Sequence, residues 1–248
     1  MPGILEPQKY LASVFVVEPA WGSPARFAKQ LVQALNTEGV EVSAMPLQTP
    51  TEAPAEVPRI ALVSVSQSWQ VYASFVRIDV NHFPGRLGET DKKVDGEGFW
   101  GIAARLFPHV LDEMKFDVNR IAGVMEAAAD TKPDEGTPDD YVRRRFLSSA
   151  LPARLNDDRY DCEAHVYQRP PWHSGAKEVV LNRIFRIKAL HANTPKGRRN
   201  ALFVETDCNT IADDPSIRFS QEEIRAFYAQ VPTWIRETQE CCQGGAQV

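Results

Sequence analysis

The chain has 248 residues, a net charge of -5, 43% hydrophobic, 25% charged and 9% aromatic residues, a balance that excludes wholesale disorder and fibrous folds. It is long enough to bury a substantial core as one large domain or two modest ones. The acidic total excludes a protein coated in nucleic acid but leaves room for a local basic patch.

Tyr10 to Glu18 is a Val-rich run ended by Pro19 and reads as a buried strand. Ser23-Pro24 offers an N-cap and a proline at the first helical position, after which Phe27, Leu31, Ala34 and Leu35 fall on one helical face and Gly39 supplies the stop. A short strand over Val40 to Met45 follows. Pro46, Pro50, Pro54 and Pro58 then mark an extended connector. Arg59 to Val65 and Ser68 to Phe83 alternate as two antiparallel strands joined by a Ser/Gln turn, with Trp69, Val71, Ala73 and Phe75 on one face. The uncharged stretch Ile60 to Val76 lies here, and its four Ser and two Gln make it a pair of strands and a poor membrane span. Next comes a helix with Phe99, Ile102, Ala103, Leu106, Val110 and Met114 at helical spacing, for which Pro108 predicts a kink or a break into two helices. Val118 to Ala127 closes the half as a strand.

After the acidic, Pro-bearing loop Asp130 to Gly136, Thr137-Pro138 with Asp140 starts a short helix through Leu147 that carries Arg143, Arg144 and Arg145. Tyr160 to Tyr167 is a strand, stopped at Pro170-Pro171. Val179 to Asn209 is the most polarised stretch: two alternating runs flank Asn193-Thr-Pro-Lys-Gly-Arg-Arg199, which predicts a long hairpin with a basic tip. Ser220 and Glu223 form a capping box for the last helix, whose apolar face is Ile224, Phe227, Tyr228, Val231 and Ile235 and whose Pro232 predicts a bend. The residues from Glu240 read as a frayed polar tail. The fold class is therefore α+β, with two halves related to ferredoxin-like units, a mainly antiparallel sheet and helices packed on it. The halves span residues 1–130, a split β-α-β with an extra hairpin, and 137–240, which holds the basic hairpin; residues 241–248 are the tail.

Gly96-x-Gly98-x-x-Gly101 matches a dinucleotide loop and opens a helix, but a charged loop precedes it where a buried strand is required, so no cofactor is assigned. Glu205 and Asp207 lie two apart, on one strand face, and are the best carboxylates for metal chemistry. Arg183, Arg186 and Lys188 on the preceding strand explain them by cross-strand pairing instead. His82, His109, His165, His173 and His191 are dispersed without ligand spacing, and Cys162, Cys208, Cys241 and Cys242 form no C-x-x-C, so no metal is assigned. Cys162 and Cys208 sit in strand patterns and read as buried, reduced thiols. No nucleophile elbow or other catalytic signature is present and no catalytic residue is assigned. The binding candidates are Arg183, Arg186, Lys188, Lys196, Arg198 and Arg199 of the hairpin with Arg143, Arg144 and Arg145 of the short helix, and Tyr160, Tyr167 and Trp172 would supply an aromatic platform if the surface reads phosphates and bases.

In the strand Trp69 to Asp79, the helix at Phe99-Trp100, the strand at Asn119-Arg120-Ile-Ala-Gly123, the alternate acids of Phe203-Val-Glu205-Thr-Asp207 and the pattern Ile224-x-x-Phe-Tyr-x-x-Val-x-x-Trp234, the chain resembles a sporadically distributed family of uncharacterised bacterial proteins of about this length. The resemblance carries no activity, cofactor or catalytic residue. Its patchy occurrence implies mobile defence or toxin-antitoxin cassettes.

The expectation is a non-enzymatic cytoplasmic protein, since Met1-Pro-Gly-Ile-Leu-Glu has neither the basic segment nor the apolar core of a signal peptide. It recognises a protein partner through its sheet and basic hairpin and does not bind membranes. The alternative is an RNA-binding or RNA-processing protein of paired ferredoxin-like units.

Overall fold

The computed structural model describes residues 5–17, 23–45, 47–50, 52–88, 91–130, 137–146, 162–175, 177–194, 197–211 and 216–243, with backbone alone for 192–194, 197–199 and 241–243. The strands are β1 (Glu6–Val17), β2 (Ser43–Met45), β3 (Ile60–Val63), β4 (Trp69–Ala73), β5 (Arg77–His82), β6 (Asp117–Asp130), β7 (Glu163–Gln168), β8 (Pro171–Ser174), β9 (Lys177–Thr194) and β10 (Gly197–Thr210). The helices are α1 (Pro24–Thr37), α2 (Gly96–Met114), α3 (Pro138–Phe146) and α4 (Gln221–Gln243). All strands join one antiparallel sheet in the order β2-β3-β4-β5-β1-β6-β10-β9-β7, with β8 pairing with the start of β9. The fold is α+β, and β6 against β10 makes the two halves one continuous sheet.

In the N-terminal half β1 lies antiparallel between β5 and β6, and α2 carries the chain over it from one to the other. The C-terminal half is built from the β9–β10 hairpin, in register from Thr194 opposite Gly197 to Leu181 opposite Thr210.

The helices share one face of the sheet. Phe27, Leu31, Ala34 and Leu35 of α1, the predicted apolar face, are all buried with β-strand residues such as Val14, Leu62, Val71 and Val80. α2 and α4 lie side by side over β1 and β6. Gly123 of β6 permits this approach: a Cβ there would stand 3.0 Å from Val231 and 3.1 Å from Trp100. Val142 of α3 packs with Phe185, Ile187, Leu202 and Val204. Leu202 and Val204 point the same way along β10 as Cys208, which belongs to the core under the other helices.

The capping box forms as the sequence predicts. Ser220 N–H donates to Glu223 Oε2 (2.6 Å) and Glu223 N–H donates to Ser220 Oγ (3.2 Å). Several expectations need correction. Ser68 to Phe83 is two strands, because Ser74 turns the chain: its Oγ accepts from the N–H groups of Val76 (3.3 Å) and Arg77 (3.1 Å). Pro108 does not divide its helix, which runs unbroken from Gly96 to Met114 with Phe107, Pro108, Val110 and Leu111 all buried, so packing outweighs the lost hydrogen bond. α4, with Pro232 inside it, extends to Gln243, past the point where fraying was expected. Ser23 stands at the start of α1 without a side-chain cap, whereas Asp95 caps α2 through Gly98 N–H (2.8 Å). No helix among the described residues is long and apolar enough to cross a membrane.

Candidate binding face

Alternation along each strand sends every second side chain to the face of the sheet away from the helices. Cross-strand register then assembles those residues into rows. One row runs Lys9, Glu126, Glu205, Arg186, His165 across β1, β6, β10, β9 and β7. Lys9 Nζ pairs with Glu126 at 2.9 Å and Arg186 pairs with Glu205. Glu126 and Glu205 face each other directly, a repulsion that the two outer cations offset.

A second row runs Asp79, Ser13, Ala122, Asn209, Asn182. Ser13 Oγ donates to Asp79 Oδ1 (2.6 Å), and Arg77 holds the other carboxylate oxygen at 2.8 Å. Asn209 accepts from Arg120 (3.3 Å) and donates to Asp207 Oδ1 (2.8 Å). Phe15 lies between two guanidinium groups, Arg120 at 4.6 Å and Arg77 at 5.7 Å from its ring centre. Ser13, Asp79, Asn81 and Asn209 are buried although no helix among the described residues covers this face. Burial holds the carboxyls of both Asp79 and Asp207 above the ordinary range, against the hydrogen bond from Ser13 and the charge of Arg77 in the first case and those of Asn209, Arg186 and Arg120 in the second.

The predicted basic residues do not all converge. Arg186 and Lys188 are on this face, where Lys188 lies over the Phe203 ring at 5.1 Å. Arg183, three residues from Arg186, projects to the helical side, pairs with Glu237 at 2.8 Å and covers Trp234 at 5.4 Å. Arg198 and Arg199 lie in β10 with only their backbone described, and Lys196 lies outside the described residues. Arg143, Arg144 and Arg145 belong to α3, on the helical side; Arg143 Nε is 3.0 Å from Cys162 Sγ and Arg144 Nε donates to Asp140 O. Of the aromatic platform, Tyr167 is 57% exposed on the open face, Trp172 is buried among Phe219, Phe227 and Trp234, and Tyr160 lies outside the described residues.

Glu205 and Asp207 share a face, as their spacing predicts, and Arg186 opposite Glu205 gives the expected cross-strand pair. Among the described residues no three His, Cys, Asp or Glu side chains gather as metal ligands. Cys162 and Cys208 are buried thiols, the latter pushed up to about 12 by burial. Lys9, Ser13, Arg77, Asp79, Arg120 and Glu126 were not among the binding candidates read from sequence. Strand alternation was the available signal, because each shares its parity with the polar face of its own strand.

No protein-family model matches the chain, and no curated protein matches it in sequence.

Proposed function

We propose that this chain is a non-enzymatic, cytoplasmic binding protein that recognises a protein partner with the open face of its sheet. The supporting observation is the pairing of charges on that face: Lys9, Arg77 and Arg186 each stand against a carboxylate, and Arg183 is drawn away to Glu237. A phosphate-reading surface needs cations in excess, and a charge-matched face with buried polar rows and an exposed Tyr167 suits a polypeptide. The order β6-β1-β5-β4, with α2 crossing over β1, supports kinship of the N-terminal half with ferredoxin-like folds. A paired unit of that kind is the basis of the alternative, RNA-binding reading. A role in a mobile defence or toxin-antitoxin cassette rests on the resemblance alone.

A photo-crosslinking amino acid placed at Tyr167 on the open face, and at the exposed Arg105 on the helical side as control, separates the readings in extract from native cells. The expected result is one protein species crosslinked at 167 and absent at 105. Crosslinks that vanish on ribonuclease treatment, or retention of labelled RNA that falls steeply with salt, would replace this proposal by the RNA-binding one.

A further inference from the structure

A cavity of about 340 Å³ lies on the helical side, between the first turn of α2 and the C-terminal half of α4. Its floor is apolar and buried: Tyr10 of β1, Trp100 of α2, Met125 of β6 and Ile235 of α4. The Tyr10 and Trp100 rings meet edge to face at 6.1 Å. The volume is at the lower end of the range for small-molecule sites, and an apolar floor with a few polar groups is their usual make-up.

The glycine motif that fails as a dinucleotide loop belongs to this cavity. Gly96 lines it, and a Cβ there would stand 3.2 Å from the Tyr10 hydroxyl, so glycine lets the first turn of α2 close against that ring. The polar groups around the cavity are Asp95, Glu97, Arg236 and Gln239. Two carboxylates against one guanidinium leave a net charge of -1, and Glu97 and Arg236 are a loose, exposed pair at 3.9 Å. Asp95 is held in place by its cap to Gly98 N–H. The Tyr10 phenol is pushed up to about 12 by burial and by Asp95, so it stays neutral at physiological pH. A phosphate at this helix N-terminus would meet both carboxylates; a cation would be attracted by them, with the apolar floor beneath it to take an apolar body.

We propose that this cavity binds a small organic monocation with a flat apolar body, the class of the aromatic amines. The site is separate from the sheet face and does not depend on the protein-partner reading.

Titration calorimetry of the full chain at neutral pH tests it with tyramine, with 3-(4-hydroxyphenyl)propionate, which exchanges the ammonium for a carboxylate, and with 4-ethylphenol, which has no charge. Tyramine is expected to bind at least about tenfold more tightly than either, and Glu97→Gln to weaken it about three- to tenfold with the melting temperature unchanged. Ile235→Phe, which fills the cavity, is expected to abolish binding; Glu97→Gln carries the test alone if that variant does not fold. Equal or better binding of the carboxylate, no saturation by tyramine at several millimolar, or unchanged affinity in Glu97→Gln would each overturn the proposal.

Discussion

β1 serves two surfaces of one sheet by two different means. Toward the helices its Tyr10, Ala12, Val14 and Val16 are buried in an apolar core. Toward the open side Lys9, Ser13 and Phe15 meet Glu126, Asp79 and a pair of arginines. The helical face is stabilised by removal of apolar area from water and by close packing, which are sensitive to volume. The open face is stabilised by paired charges and satisfied hydrogen bonds, which are sensitive to charge and pH and cost more to break than they contribute when intact. Substitutions on the two faces should therefore differ in kind as well as in size.

The largest effect is expected at Phe227 of α4, fully buried and edge-on to Trp172, Tyr228 and Trp234. Phe227→Ala should cost about 3–5 kcal/mol in denaturant unfolding, independent of salt. Adjacent residues of β6 give a sharper comparison. Gly123→Ala drives a methyl against Val231 and Trp100 and should cost about 1–3 kcal/mol. Ala122→Ser places a hydroxyl on the opposite face, in the row of Ser13 and Asn209, and should cost less. If the order is reversed, the division of the sheet into a volume-sensitive and a polarity-sensitive face is wrong.

Much of the scaffold was legible because the signals that made it are local. The apolar stripe of α1, the Ser220 to Glu223 box and the β9–β10 hairpin each depend on residues close in sequence. What failed also has local causes that other forces overrode. Pro108 offers a break in its helix, yet buried Phe107 before it and Val110 and Leu111 after it hold α2 together, and Phe227 and Trp234 flank Pro232 in the same way. The open face was the least legible part, since its pairs join residues as far apart as Lys9 and Glu126 or Ser13 and Asp79 and depend on strand order. One error was avoidable: Arg183 and Arg186 are an odd number of residues apart on a continuous strand, so they cannot share a face.

On the open face, the Arg186 and Glu205 pair should show a coupling of about 0.5–1 kcal/mol in a double-mutant cycle with Arg186→Gln and Glu205→Gln, diminishing with added salt. The single change Glu205→Gln should cost less than its lost pair implies, because it also removes the repulsion between Glu205 and Glu126. A coupling that salt leaves unchanged would mean that packing, not charge, holds this row.

The smallest effect is the one that most cleanly marks the open face, because only its direction with pH matters. Burial raises the Asp207 carboxyl above its ordinary value, so the folded chain binds that proton more tightly than the unfolded chain does. Such a group contributes stability below its unfolded pKa, and the contribution is lost as pH rises through the folded value. Asn at this position keeps an acceptor for Asn209 and has no proton to lose. The stability of Asp207→Asn relative to the parent chain should therefore grow between about pH 4 and pH 8, read by denaturant unfolding at a series of pH values. Asp79 carries a shift of the same sign and is intact in both proteins, so its contribution cancels in the difference. A difference that is flat or shrinks with pH would mean that the Asp207 carboxyl is in contact with water in the folded chain.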